Sequence, residues 1–312
     1  MAASLIAVAV VETTSDPASA ASRKPIALGA AIDGAPWKPA KIDRFSKMIG
    51  RKPAVVMWYE SWSDTGFSAR RMNAVAKRGA MPMVTWEPRD HRRGVRQPRY
   101  ALRSIARGKH DAYIRRWARD AAAWNKPLYV RFAHEMNGGW YPWGARVNGN
   151  TSAHYVAAWR RVVRIFRQEG ATKVRWVWSP NVRCNKVRYA SLYPGDRYVD
   201  WVALDGYNWG NVGSRNWQSF AQVFGASYKE LTRLTRKPVM IAETASTGSG
   251  RRKAAWIRRG LQEDVRRRFP RVRAVVWFNR NKERDWRVNS SRRSLAAYKK
   301  VAGSALYQRR LR

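Results

Sequence analysis

Cysteine is nearly absent. Cys184 stands alone in 312 residues, so no disulfide can close within the chain and a cysteine-based zinc site is excluded. Histidine is scarce too: His91, His110, His134 and His154 show no metal-ligand spacing, and neither a metal nor a cofactor is expected. Acidic residues number 21 against 62 lysines and arginines. The resulting formal charge of +41 favours polyanions at low salt without naming a partner. It comes with no motif of a nucleic-acid-binding fold, so no specific nucleic acid is expected. An apolar run long enough to span a bilayer is missing. So is a glycine-rich phosphate turn after the first apolar segment, which disfavours an open dinucleotide-binding sheet.

Hydrophobic residues make up 45% of the chain, enough for a sizeable core. The first stretch differs from the rest. An apolar run from Leu5 to Val11 leads to Ala18-Ser19-Ala20, a small-residue cleavage pattern without the basic start of a secretory leader. Residues 1–22 are therefore expected to be a signal peptide or a disordered tail, and the protein to be secreted or cell-wall-associated. Residues 23–312 then form one domain, expected to be a monomer.

Short apolar runs alternate with amphipathic ones along that domain. Strands are expected at Ile26–Asp33, Ala54–Tyr59, Met81–Glu87, Leu128–Glu135, Val174–Ser179, Val199–Tyr207, Val239–Glu243 and Ala274–Asn279. Their continuous apolar character suits parallel strands buried on both faces. Helical spacing fills the gaps, as in Val156, Trp159, Val163 and Phe166, or Ile257, Leu261, Val265 and Phe269 before Pro270. Eight alternations predict a single (β/α)₈ barrel. The basic segment 89–108 is expected to be an irregular loop at one barrel face.

In such a barrel, chemistry sits at the C-terminal ends of the strands. Those ends carry Asp33, Glu60, Trp86-Glu87, His134-Glu135, Trp178, Asp205-Gly206-Tyr207, Glu243 and Trp277. Carboxylates ringed by aromatics, with no serine or cysteine nucleophile, suit glycosidic bond cleavage. One carboxylic acid protonates the leaving oxygen and the other carboxylate attacks the sugar carbon, while aromatic rings stack on sugar faces. Side chains two apart on a strand share a direction. Arg131 with Glu135, Asp205 with Tyr207, Ile241 with Glu243, and Val275 with Trp277 are accordingly expected to face one barrel mouth. A buried Arg131 needs a carboxylate partner. Of Trp58, Trp86, Trp178 and Trp209, two are expected as sugar platforms and the others as core. Glu87 is a weaker third carboxylate, and Glu60 is expected to begin a loop.

The segment Arg131-Phe-Ala-His-Glu-Met-Asn-Gly-Gly-Trp-Tyr-Pro-Trp-Gly144 resembles the acid/base motif of family 26 glycoside hydrolases. The resemblance implies a retaining endo-β-glycanase with Glu135 as acid/base and Glu243, in Ile241-Ala-Glu-Thr244, as nucleophile. It further implies substrate contacts from His134, Trp140, Asp205, Tyr207 and Trp277, with the Tyr207 hydroxyl hydrogen-bonded to the nucleophile. Family members act on β-1,4-mannan, mixed-linkage β-glucan or β-1,3-xylan, and mannan is the leading expectation on prevalence. Trp140–Gly144 reads WYPWG, whereas mannanases of the family carry a more aromatic, proline-free version. A β-1,3-1,4-glucanase, or a non-catalytic carbohydrate-binding or cell-wall protein on the same fold, is the alternative. Besides the polysaccharide, the basic surface suggests an anionic cell-wall polymer as partner.

Overall fold

The computed structural model describes residues 25–308 apart from 65 and 249. The expected leader therefore lies outside the described residues. The eight main strands are β1 (Ile26–Ile32), β2 (Val55–Ser61), β3 (Met81–Glu87), β4 (Leu128–Phe132), β5 (Val174–Trp178), β6 (Trp201–Asn208), β7 (Val239–Ser246) and β8 (Val272–Asn279). Each pairs in parallel with its chain neighbour. The sheet closes because β1 pairs with β8 on one side and with β2 on the other. A two-residue β9 (Tyr307–Gln308) pairs in parallel with the start of β1. The result is a closed (β/α)₈ barrel.

The helices are α1 (Ala40–Ile49), α2 (Ala69–Ala76), α3 (Leu102–Ala106), α4 (Asp111–Trp124), α5 (Ser152–Gln168), α6 (Tyr189–Leu192), α7 (Phe220–Leu234), α8 (Gly250–Arg258), α9 (Val265–Arg267) and α10 (Arg292–Gly303). They lie outside the strands with their apolar faces inward. In α5 the inward face is Tyr155, Ala158, Trp159, Val162, Val163, Ile165 and Phe166, and the Thr151 hydroxyl caps its first turn. Between α8 and α9 the chain widens into a π segment, Arg259–Asp264. A strict four-residue repeat drifts about 40° per step on an α-helix. The wider turns take up that drift, so Ile257, Leu261, Val265 and Phe269 all stay buried.

Three expectations about local structure need correction. Strand β4 stops at Phe132, because Ala133 and Glu135 take left-handed backbone angles with φ of 43° and 52°. Glu135 thus sits on a bend beyond the strand and owes its direction to that bend, held by its amide donating to Ser179 O at 2.7 Å. Glu60 does not begin a loop. It lies within β2, buried, and accepts from Arg71 Nε at 2.8 Å and Trp58 Nε1 at 2.7 Å. Segment 89–108 is irregular only in its first half, 89–97, where the buried Gln97 amide bridges Asp90 O and Gly94 O at 3.0 and 2.7 Å; its second half carries a 3-10 turn and α3.

Candidate active site

The strand ends open into one cleft of about 1160 Å³. Glu135 and Glu243 both line it, with Tyr59, Glu87, Trp140, Tyr141, Asn181, Tyr207, Phe278 and Trp286 among their neighbours.

Glu243 comes from β7, where two residues, Ala242 and Glu243, bulge between the Ile241 and Thr244 pairings to β8. One carboxylate oxygen accepts from Arg131 Nη2 and the other from the Tyr207 hydroxyl. Arg131 is fully buried in the barrel. Its Nη1 donates to Asp205 Oδ2 at 2.5 Å, and its Nε to Thr85 Oγ1 at 3.0 Å. The guanidinium thus joins the two carboxylates, orienting Glu243 and tying β3, β4, β6 and β7 together. His134, Asp205 and Glu243 bring possible metal-ligand atoms within 4.8 Å of one another. The Arg131 cation already bonds both carboxylates of that trio, and its charge disfavours a second cation there.

Glu135 is held from two sides. Trp140 Nε1 donates to Oε2 at 2.5 Å and Asn181 Nδ2 to Oε1 at 2.8 Å. Asn181 is fixed in turn by Asn137, whose amide donates to Asn181 O and accepts from Asn181 N, both at 2.9 Å. Burial pushes the Glu135 carboxyl up to about 7, the Glu243 charge adds to the rise, and the Asn181 and Trp140 donors oppose it. A carboxyl in that state keeps much of its proton at neutral pH.

The WYPWG segment divides its labour. Trp140 stands 43% exposed in the cleft. Tyr141 stacks on Trp143 with centroids 4.5 Å apart, and buried Trp143 donates to His134 O at 2.6 Å. Gly144 is required there, because a Cβ would meet Gly138 O at 2.4 Å.

Three expected contact residues do not line the cleft. Trp277 is fully buried on the outer face of β8, edge-on to Trp256 of α8 and Tyr298 of α10. Its neighbour Phe278 faces the cleft instead. Asp205 shares the phase of Tyr207 but lies two residues deeper, roughly 6–7 Å down the strand, where it meets Arg131 and Ser179 rather than the cleft. His134 is buried among the rings of Tyr59, Tyr141 and Trp143, with Nε2 4.0 Å from Glu243 Oε1. Burial, and then the Arg131 charge, lower its pKa, so the ring is neutral. Of the four strand-end tryptophans, only Trp209 is a half-buried part of the cleft wall; Trp58 borders the cleft but is only 2% exposed, and with Trp86 and Trp178 it belongs to the core.

Sequence reasoning missed Asn181, Tyr141, Trp286 and Tyr59. Trp286 lies seven residues past β8, and its ring packs on Tyr207 and Trp209 at 5.1 and 5.0 Å. A loop aromatic at that distance from a strand carries no periodic signal. Asn181 had one: an amide immediately after Ser179-Pro180 at the end of the fifth strand.

The sequence pattern of Glycosyl hydrolase family 26 matches residues 110–265, half of the chain. Endoglucanase H of Acetivibrio thermocellus is 43% identical over 287 residues, which is 89% of this chain and 30% of that protein. The chain thus spans under a third of that relative's length. Mannan endo-1,4-beta-mannosidase A and B of Caldalkalibacillus mannanilyticus is 41% identical over 86 residues, 26% of this chain and 16% of that protein. Among solved structures, the catalytic domain of a Bacillus sp. JAMB-750 endo-β-1,4-mannanase superposes with a TM-score of 0.68 at 19% identity. That match covers 91% of this chain and 87% of the other, and it speaks for the fold alone.

Proposed function

The chain belongs to glycosyl hydrolase family 26, and we propose that it hydrolyses a β-linked polysaccharide internally, with retention, using Glu135 as acid/base and Glu243 as nucleophile. The observation that carries this is the unequal treatment of two carboxyls in one cleft. Glu135 keeps much of its proton because burial, and then the neighbouring Glu243 charge, outweigh its two neutral donors, Trp140 and Asn181. Glu243 faces a guanidinium and a phenol hydroxyl, both of which favour its charge. Glu135 gives its proton to the glycosidic oxygen as Glu243 attacks the anomeric carbon, forming a glycosyl-enzyme. Glu135, now a base, draws a proton from the water that releases the sugar.

The substrate we propose first is β-1,4-mannan, supported by the mannanases among the sequence relatives. One observation favours a second reading, a β-glucan: the match to an endoglucanase runs over 89% of the chain, whereas the mannanase match above runs over 26%. Soluble mannan, mixed-linkage β-glucan and β-1,3-xylan, each assayed with product analysis, decide between them. NMR of the first-formed anomer tests retention. An inverted anomer, or full turnover by Glu243→Ala, overturns the mechanism.

The proposed setting is extracellular, with the basic surface holding the enzyme on an anionic wall polymer. The charge of +41 and the leader-like Leu5–Ala20 stretch support it. Among the described residues no helix is long and apolar enough to cross a membrane.

A further inference from the structure

Glu87 closes β3 in the same cleft, and the proposed reaction does not use it. Its side chain is 3% exposed. Oε2 is anchored, accepting from Arg89 Nε at 3.0 Å and Nη2 at 2.8 Å. Oε1 is enclosed and has no hydrogen-bond partner among the described residues. A buried carboxylate oxygen without a donor is unfavourable, and a ligand or water that brings an O–H to it is stabilised there.

Its surroundings say where that ligand sits. Glu87 lines the cleft beside Tyr59, Tyr141 and Glu243. Arg89, half-buried, lies over the Tyr141 ring with its Cζ 5.3 Å from the centroid. That stacking and the two-pronged bond to Oε2 fix both members of the pair. Burial pushes the Glu87 carboxyl up to about 7, with Arg89 opposing and the Glu243 charge adding to the rise. Tyr141 packs on the His134 ring with centroids 4.7 Å apart, and His134 Nε2 lies 4.0 Å from Glu243 Oε1, so Arg89, Glu87 and Glu243 are joined along one wall of the cleft.

Resting on the glycosidase reading, we infer that Glu87 and Arg89 form a hydroxyl-recognition pair for the sugar ring seated beside Glu243. Glu87 Oε1 receives a hydroxyl of that sugar, and Arg89 keeps the carboxylate aimed at it. A sugar is the ligand class that fits. It offers hydroxyl donors around an apolar ring face, and the cleft offers a fixed acceptor amid aromatic walls. Such a contact is selective, because an analogue without the hydroxyl leaves Oε1 unpaired again. Glu87 is thus a specificity determinant: it chooses which sugar hydroxyl is read next to the bond that breaks.

The test is a cycle between protein and ligand in the Glu135→Gln background. Calorimetry measures binding of β-1,4-linked manno- and gluco-hexasaccharides and their monodeoxy derivatives. Glu87→Ala should weaken the preferred hexasaccharide roughly tenfold to a hundredfold, the range of hydrogen bonds to charged groups. One deoxy derivative should bind the parent correspondingly less well and lose nothing further on Glu87→Ala, so that the two losses are not additive. Glu87→Gln keeps the shape and should show the same coupling even if Glu87→Ala melts early. Unchanged affinity in both variants, or fully additive losses for every deoxy position, overturns the inference. Hydrolysis of the same hexasaccharides by the unmodified enzyme tests the glycosidase reading separately. Binding without hydrolysis overturns that reading and leaves the pair measurable; no binding by the parent overturns both.

Discussion

Arg131 donates to Glu243 from the same guanidinium that holds Asp205 at 2.5 Å, and both arginine and aspartate are fully buried. A cation placed between two enclosed carboxylates is a structural joint as much as an electrostatic support. Removing one partner of a buried ion pair typically costs about 3–5 kcal/mol, because the remaining charge is left uncompensated. Arg131→Met should therefore lower the unfolding free energy by about that amount in denaturant titrations. Asp205→Asn, which keeps a hydrogen-bonding oxygen for Arg131, should lose less. If Arg131→Met unfolds like the parent, the joint contributes nothing to the barrel.

Glu135 sets the pH response. Its carboxyl is raised to about 7, so kcat/KM should fall as pH rises through that value, where the acid form disappears. Stability follows the same sign. A carboxyl raised in the folded state favours folding below its unfolded pKa, and that contribution is lost between about 4.5 and 7. Glu135→Gln, which cannot ionise, should consequently gain on the order of 2 kcal/mol over the parent at pH 8 and little at pH 4. The Trp140 indole lowers this pKa. In Trp140→Phe, the alkaline limb of the rate profile should accordingly move to higher pH. A limb that stays put would separate Trp140 from the proton.

Strand β8 shows what was legible in the sequence and what was not. The eight strands could be read because each is an apolar run between amphipathic ones, as parallel strands enclosed on both faces must be. The same property hides which face is which. Trp277 and Phe278 are both large and apolar, and alternation cannot decide which looks into the barrel. Packing decides it, since α8 and α10 present Trp256 and Tyr298 to Trp277. Glu135 and Glu243 were visible through the likeness of their motifs to a known family. Strand phase placed Glu135 at the mouth for the wrong reason, since the residue sits past the strand on a left-handed bend. Asn181 and Trp286 reach the cleft from loops, and loop residues are brought to a site by the fold rather than by any local rhythm.

That correction is itself testable. Trp277 is 0% exposed and its indole donates to Trp286 O at 2.9 Å. Trp277→Ala should cost about 3–5 kcal/mol, as large-to-small changes of buried aromatics do. Phe278 stands against Tyr59 and Tyr207 in the cleft wall. Phe278→Ala should raise KM with a smaller stability loss. Comparing melting temperature with KM for the two variants separates core from cleft; the opposite pattern would return Trp277 to the substrate.

The surface charge leads to the last prediction. Arginines crowd the outer helices, with Arg160, Arg164 and Arg167 exposed on α5, and Arg251, Arg252 and Arg258 exposed on α8. None of those side chains lines the cleft, so they do not join its chemistry. At the cleft rim Arg280 pairs with Asp33 at 3.2 Å, Lys282 with Glu283 at 2.7 Å and Arg183 with Glu230 at 3.4 Å, while Arg215 lies over the Trp209 ring at 4.3 Å. Turnover on a neutral soluble glycan should therefore change little with ionic strength. Retention on a polyanion should behave otherwise. Single contacts are screened beyond about 8 Å at physiological salt, yet many acting together release many counterions, which makes binding steeply salt-dependent. The enzyme should elute sharply from an anionic matrix as salt rises, while hydrolysis of the neutral glycan holds steady across the same series. Cleavage of native wall material should fall with the elution. If neutral and wall-bound substrates decline in parallel, the charge does not localise the enzyme.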